Sequence, residues 1–281
     1  MSKTFQQATQ SENTLLIVDA LNLAFRYKHS GATDFAEDYL RTVNSLKKSY
    51  KASHVVIAAD QGSSSYRKAL SPDYKQNRKD KFDQQSDAER AAFELFFEDY
   101  TKTLEYIQAN TDYPLLRFQG VEADDIAAYI VSKRKQLPFD DIWLISSDRD
   151  WDLLVQPGVS RFSYVTRKEV THDNWRTHYD FDPEDYISIK CLTGDTGDNV
   201  LGVPGIGPKR AQSLVSEYGS TWDIIASIPL AGKYKYIEAL NSCRDQLILN
   251  YKLMDLVTHC REAIGEANCH EIDQTLQLYT Q

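Results

Sequence analysis

A chain of 281 residues, 26% of them charged and 42% hydrophobic, can bury a large core in one big domain or two smaller ones and reads as soluble and globular. No apolar run approaches the ~20 residues that a membrane helix needs. The formal net charge of −9, taken alone, argues against a nucleic-acid partner.

The opening MSKTFQQATQSEN is polar and lacks the apolar stretch of a secretory signal, so residues 1–13 are expected to be a flexible arm on a cytoplasmic protein. Residues 14–18 (TLLIV) read as a buried strand that stops at Asp19, followed by Ala20-Leu21-Asn22. Residues 35–50 carry the pattern of an amphipathic helix. Residues 54–59 (HVVIAA) are a second apolar strand, and it stops at Asp60.

Residues 61–82 (QGSSSYRKALSPDYKQNRKDKF) break this rhythm. Arg67, Lys68, Lys75, Arg78, Lys79 and Lys81 outnumber Asp73 and Asp80, with Tyr66, Tyr74 and Phe82 interleaved. The segment is either a solvated loop or an arm over nucleic acid, with cations such as Arg67 for phosphates and aromatics such as Tyr74 for unstacked bases. A long helical pattern follows at 86–108, then a short strand at 115–119.

Gly120-Val121-Glu122-Ala123-Asp124-Asp125 leads into a helix expected at 126–136. One acid in a first turn is ordinary capping; three within four residues exceed it. The apolar run 142–145 then breaks into Asp148, Asp150 and Asp152 at alternate positions. A calcium loop fails here, because Leu153 stands where the turn glycine is needed and Val159 where a bidentate glutamate is needed. An aspartyl phosphatase would place its DxD after the first strand, where this chain has Asp19 and Leu21. Residues 160–165 are expected to be an edge strand. Alternating strand, helix and strand implies a mostly parallel, doubly wound sheet, whose sites lie outside the carboxyl ends of the strands.

From about residue 182 the pattern is helical. Residues 186–192 lead into Gly194-Asp195-Thr196-Gly197-Asp198-Asn199, where Asp195 and Asp198 share a face if the turn is helical, or fold around a ligand if it is a loop. Gly202-Val203-Pro204-Gly205-Ile206-Gly207-Pro208-Lys209-Arg210 then enters a helix at 211–218. Such glycines let backbone N–H groups approach a phosphate, and the helix start with Lys209 and Arg210 attracts it. Residues 222–228 and 246–257 read as helical packing, and the tail from Arg261 carries no clear signal. Cys191, Cys243, Cys260 and Cys269 form no CxxC pair, which suits a reducing compartment, and the His259-Cys260 and Cys269-His270 doublets lack zinc-finger spacing.

Asp19, Asp60, Glu122, Asp124, Asp148, Asp150, Asp195 and Asp198 gather at or beside one predicted sheet edge. Without those eight charges the chain stands at −1. Clustered carboxylates repel unless a cation neutralises them, and hard divalent ions prefer oxygen ligands. The acidic balance is therefore expected to reflect a metal site, not a surface that repels DNA.

These residues resemble the structure-specific 5′-nucleases, or flap endonucleases, and most closely their bacteriophage 5′–3′ exonuclease branch, related to the 5′-nuclease domain of bacterial DNA polymerase I. The resemblance spans about 14–257 and rests on IVDALN around Asp19, AAD at Asp60, Tyr74-Lys75-x-x-Arg78, GVEADD at 120–125, SSDRDWD at 146–152, GDTGDN at 194–199 and GVPGIGPKR at 202–210. It implies a PIN-like α/β core at 14–180 with a helical arch at about 61–92, and a helical region at 181–281 holding a helix–three-turn–helix at about 190–220.

It further implies two or three Mg²⁺ or Mn²⁺ ions. Asp19, Asp60, Glu122, Asp124 and Asp148 match the first-metal cluster, and Asp150, Asp195 and Asp198 the second. Lys75 and Arg78 match arch residues at the scissile phosphate. Gly205, Gly207, Lys209 and Arg210 match the duplex-holding element, often accompanied by K⁺. Asp125 falls in the motif and is expected behind the ligands; Arg149 departs from it, standing where relatives often carry a small residue. Implied substrates are DNA with 5′ flaps, branches or gaps, cut by a monomer that leaves a 5′-phosphate. No polymerase follows, so coupling to replication, in a bacterial cell and from a phage gene, is expected to run through separate proteins. The rival readings are a PIN-like ribonuclease and a non-catalytic junction-binding protein.

Overall fold

The apolar runs at the chain's strand positions pair into one sheet of six strands. The computed structural model describes residues 13–277; residues 1–12, nearly all of the expected arm, lie outside the described residues. Strands β1 (Thr14–Asp19), β2 (Ala52–Ala58), β3 (Leu115–Leu116), β4 (Asp141–Ile145) and β5 (Val159–Ser163) run parallel in the order β3-β2-β1-β4-β5. β6 (Lys168–Val170) closes that edge antiparallel to β5.

Helices α1 (Ala20–Ser30) and α2 (Ala36–Ser49) connect β1 to β2; α3 (Ser65–Leu70), α4 (Gln76–Asp83) and α5 (Asp87–Asn110) connect β2 to β3; α6 (Ala123–Ser132) follows β3. Beyond β6 come α7 (Tyr186–Thr193), a hairpin of β7 (Gly194–Asp195) and β8 (Val200–Leu201), then α8 (Pro208–Tyr218), α9 (Thr221–Ser227), α10 (Lys235–Ser242), α11 (Arg244–Met254), α12 (Leu256–Ile264) and α13 (Glu266–Gln277).

Side chains alternate across a strand. Leu15 and Ile17 accordingly enter one core with Val56, Ile142 and Leu144, covered by α6, α12 and α13. Leu16 and Val18 enter the opposite core with Val55, Ile57, Trp143 and Ile145, covered by α1, α2 and α5. With both faces buried, the strands read as unbroken apolar runs instead of alternating ones. A third core, around Leu192, Val203, Ile206, Leu214, Ile224 and Leu247, holds the helical region together.

Several boundaries differ from expectation. The strand at 160–165 is not an edge: β5 pairs with β4 on one side and β6 on the other, and a three-residue edge strand is too short to show a period. β3 keeps only Leu115 and Leu116 of the stretch 115–119. α6 begins at Ala123, not at 126, because Glu122 is its N-cap. The tail from Arg261 is core: Ile264, Cys269, Ile272 and Leu276 close the sheet's first face. The segment 61–92, expected as the arch, contains α3, α4 and the first turn of α5, which opens on a Ser86/Glu89 capping box.

Candidate active site

The register of the sheet sets the site. Asp19 ends β1 opposite Ala58, two residues before Asp60, and Val18 pairs with Ile145, three before Asp148. Three parallel strands thus stop at one level. Ser146 Oγ donates to Asp19 Oδ2 (2.7 Å), and the Asn22 N–H donates to Oδ1 (3.1 Å). Asn22 in turn accepts from the Ser147 N–H (2.8 Å), tying the ends of β1 and β4 together. Burial first, then the negative charges of Asp60 and Asp148, push the Asp19 carboxyl up to about 8.

The start of α6 meets this edge. Asp60 accepts from the Ala123 N–H (2.6 Å), yet burial still holds its carboxyl above the ordinary range. Asp124 accepts from Trp151 Nε1 (2.6 Å), and burial beside Asp148 drives it well up. Glu122 behaves oppositely. Burial would raise it, but Lys75 Nζ at 2.7 Å and Arg67 Nη1 at 3.1 Å outweigh that and lower it.

The remaining acids come from the 3₁₀ turn after β4 and the β7–β8 hairpin. Asp148 caps that turn by accepting from the Asp150 N–H (2.9 Å). Lys190, on α7, donates to Asp150 and, at 2.9 Å, to Asp195. Burial pushes Asp150 up to about 6 against the pull of Lys190, while Asp195 is lowered because Lys190 and two backbone N–H groups overcome burial. The segment 194–199 is a hairpin, so Asp195 and Asp198 do not share a helical face. Asp198 receives Tyr74 Oη (2.9 Å) and Arg78 Nη2 (2.6 Å), with Lys75 Nζ 3.8 Å away. The arm is pinned to the hairpin by its backbone as well, through Lys75 N–H to the Asp198 carbonyl (2.9 Å) and Asn77 to the Thr196 carbonyl (2.7 Å).

Two residues expected at DNA lie elsewhere. Arg67 is only 2% exposed: its guanidinium grips Asp125 through two hydrogen bonds of 2.6 and 2.8 Å and donates to the Leu253 carbonyl (2.8 Å). A guanidinium so enclosed cannot reach a phosphate; it clamps α3 to α6 and α11. Tyr74 is 3% exposed with its hydroxyl on Glu122 and Asp198, so its ring offers no stacking face. Asp125, partner of Arg67, stands behind the acids. Sequence reasoning missed Lys190, whose signal is one cation within the apolar helix YISIKCLT, and Trp151, which orients Asp124.

The glycine-rich turn lies beyond the hairpin. Gly205 has φ +80°, which favours glycine, and Gly207 caps α8. Lys209 is exposed; Arg210 is exposed too but donates to the Gly205 carbonyl and lies 4.7 Å over the Tyr236 ring. The His259/Cys260 and Cys269/His270 doublets form no site: Cys260 and Cys269 are buried in the sheet core.

All candidate ligands are carboxylate oxygens, the donor set of a hard divalent ion. Among the described residues no three acid, imidazole or thiol groups converge on a common point, and the Lys75 and Lys190 ammonium groups stand between the acids instead. Asp19, Asp60, Asp124 and Asp148 form no salt bridge among the described residues. Burial first, and neighbouring acids second, raise the Asp19, Asp60 and Asp124 carboxyls; a divalent cation relieves both, so the residues fit such an ion.

Residues 14–180 match the family model of the 5′-3′ exonuclease N-terminal resolvase-like domain, and residues 181–275 match that of the 5′-3′ exonuclease C-terminal SAM fold. The chain belongs to the 5′–3′ exonuclease family. As a member it is a structure-specific DNA nuclease, a flap endonuclease and 5′–3′ exonuclease that hydrolyses phosphodiester bonds. It is 43% identical to a flap endonuclease of Escherichia phage T5, over 94% of this chain and 90% of that one. It is 28% identical to DNA polymerase I of Bacillus caldotenax, over 85% of this chain and 27% of the polymerase.

Among solved structures, the phage T5 5′-exonuclease with bound divalent zinc ions superposes with a TM-score of 0.91 at 40% identity, covering 96% of this chain and all of that one. A T5 flap endonuclease in a pseudo-enzyme–product complex with DNA and metal ions gives the same TM-score, identity and coverage. No helix among the described residues is long and apolar enough to cross a membrane.

Proposed function

We propose that this exonuclease-family chain cuts DNA where a 5′ single strand meets duplex, using two or three Mg²⁺ or Mn²⁺ ions held by the eight acids. The first ion is assigned to Asp19, Asp60, Glu122, Asp124 and Asp148, and the second to Asp150, Asp195 and Asp198. When bound, the ions supply a water of lowered pKa and a counter-charge for the leaving oxygen. The observation that carries the reading is the meeting of β1, β2, β4, α6 and the β7–β8 hairpin with the basic arm on one edge: acids for ions, and Lys75 and Arg78 for the phosphate.

Lys75 and Arg78 enter from residues 61–92, the segment assigned here as the arch, and already contact Glu122 and Asp198. Once those carboxylates are neutralised otherwise, both cations are free to turn to the scissile phosphate and stabilise the charge that develops on it. Attack in line, with departure of the 3′ oxygen, leaves a 5′-phosphate. Gly205, Gly207, Lys209 and Arg210 are assigned to a duplex phosphate at the start of α8, where a K⁺ ion would add positive charge beside the phosphate, and Arg210 also donates to the Gly205 carbonyl. Such contacts position the duplex without reading its sequence. Substrates are flaps, branches and gaps; the protein acts as a monomer inside a bacterial cell, from a phage gene, with replication proteins acting in trans.

The test is an end-labelled 5′-flap duplex in Mg²⁺, with Asp148→Ala and EDTA as controls. Cleavage at the junction, lost in both controls, is expected. Binding without cleavage in Mg²⁺ and Mn²⁺ would sink the catalytic reading, and cleavage of RNA alone would point to a ribonuclease.

A further inference from the structure

A concavity of about 240 Å³ opens at the carboxyl ends of β4 and β5, the same edge that carries the acids. Its floor is a buried ion pair: Arg161, 5% exposed, donates to Asp152, 1% exposed, through Nη2 at 2.8 Å and through Nε, and to the Ser146 carbonyl at 3.0 Å. The floor is thus satisfied and carries no net charge. The rim does. Arg149 and Lys168 line the cavity and are exposed, and neither side chain makes a hydrogen bond or ion pair among the described residues. Ser147 and Thr166 add hydroxyls beside them.

Position turns these two cations from ordinary surface charge into a site. Arg149 lies between Asp148 and Asp150 in the chain, so its Cα is ~3.8 Å from that of each acid. Lys168 opens β6, and the β5–β6 register, Ser163 opposite Lys168, places it over the end of β5 beside the cavity. An edge crowded with carboxylates repels a polyanion on either side of the point where ions neutralise it. Two unpaired cations over a neutral floor relieve that repulsion locally, and the cavity lets a phosphate oxygen come off the surface toward the Ser147 and Thr166 hydroxyls.

We propose that Arg149 and Lys168 bind one internal phosphodiester of the DNA strand that runs through the acid cluster, and so serve as positioning residues for the cut. The proposal rests on the DNA-cleavage reading above and adds a phosphate site outside the acids, the arm and the glycine-rich turn.

Binding of the full-length protein to a 5′-flap duplex is measured in EDTA, where the strand stays intact, across a range of salt. Neutralising one phosphate contributes ~0.7–0.9 to the slope of log affinity against log salt, which is about fivefold in Kd at 0.15 M salt. Arg149→Ala with Lys168→Ala should lose that much slope and affinity, and Arg149→Lys with Lys168→Arg should keep both. Both side chains are exposed, so the melting temperature should not move. A single neutral methylphosphonate linkage is then walked along the strand. At one linkage it should weaken the wild type about fivefold and leave the double alanine variant unchanged. Equal Kd and slope in the wild type and the alanine variant, or equal losses at every linkage in both, would overturn the phosphate site. Failure of the wild type itself to bind the flap duplex would overturn the DNA reading, and the phosphate site with it.

Discussion

Arg67→Met separates a structural arginine from a DNA-binding one. In the native protein the guanidinium donates to Asp125 at 2.6 and 2.8 Å, to Glu122 at 3.1 Å and to the Leu253 carbonyl at 2.8 Å. Asp125 is 0% exposed, so truncating its partner strands a carboxylate away from water. Breaking a buried pair from one side costs ~3–5 kcal/mol, and the orphaned Leu253 carbonyl adds ~1 kcal/mol or more. Methionine restores part of the packing, and Asp125, whose carboxyl burial already pushes upward, sheds part of the penalty by taking a proton. A net loss of about 3 kcal/mol remains, a drop of roughly 6–12 °C in melting temperature for a chain of this size. Because the relief comes from protonation, the loss should be smaller at pH 5 than at pH 8. Urea unfolding at both pH values reads the midpoint, and Arg67→Met with Asp125→Leu should recover most of it. A variant with wild-type stability and weakened DNA binding would refute the buried-clamp account and restore Arg67 to the DNA surface.

Asp19 at about 8, Asp150 at about 6, and Asp60 and Asp124, also raised, hold protons more tightly folded than unfolded. Their contribution to stability is complete below the unfolded values near pH 4 and is lost as pH rises through the folded values. In EDTA the unfolding midpoint should therefore fall between pH 5 and 8, and Mg²⁺ should restore more stability at pH 8 than at pH 5. The lowered Glu122 and Asp195 act in the opposite sense, but below about pH 4.5; a midpoint that rises from pH 5 to 8 without metal would contradict the assignment. Lys209→Ala, at the mouth of α8, should weaken binding of all duplex sequences alike and reduce the salt slope by ~0.9, measured by titration at several salt concentrations. Sequence-selective weakening would show that the turn reads bases.

The doubly wound sheet and the level of its acids are legible in the order of residues alone. An unbroken run such as TLLIV, stopping at Asp19, can be satisfied only where both faces of a strand are covered, and the aspartates at the ends of β1 and β2 and just beyond β4 then share one edge by register alone. Local signals of that kind survive because period and strand termination are properties of a few consecutive residues. Where each charge finds its partner is settled by folding. Arg67 and Lys75 belong to the same basic stretch, eight residues apart, and composition cannot tell them apart; one is sealed against Asp125, whereas the other reaches Glu122 at the acid cluster. Lys190 is a single cation in an apolar helix until the fold sets it between Asp150 and Asp195, 40 residues and 5 residues away in the chain. Ile272 and Leu276, in a tail without a readable pattern, become core because the sheet's first face still needs covering when the chain returns to it. Pairing of charges and closing of faces are sums over residues distant in sequence, and burial, which fixes the strength of every such charge, is known only once the chain has folded.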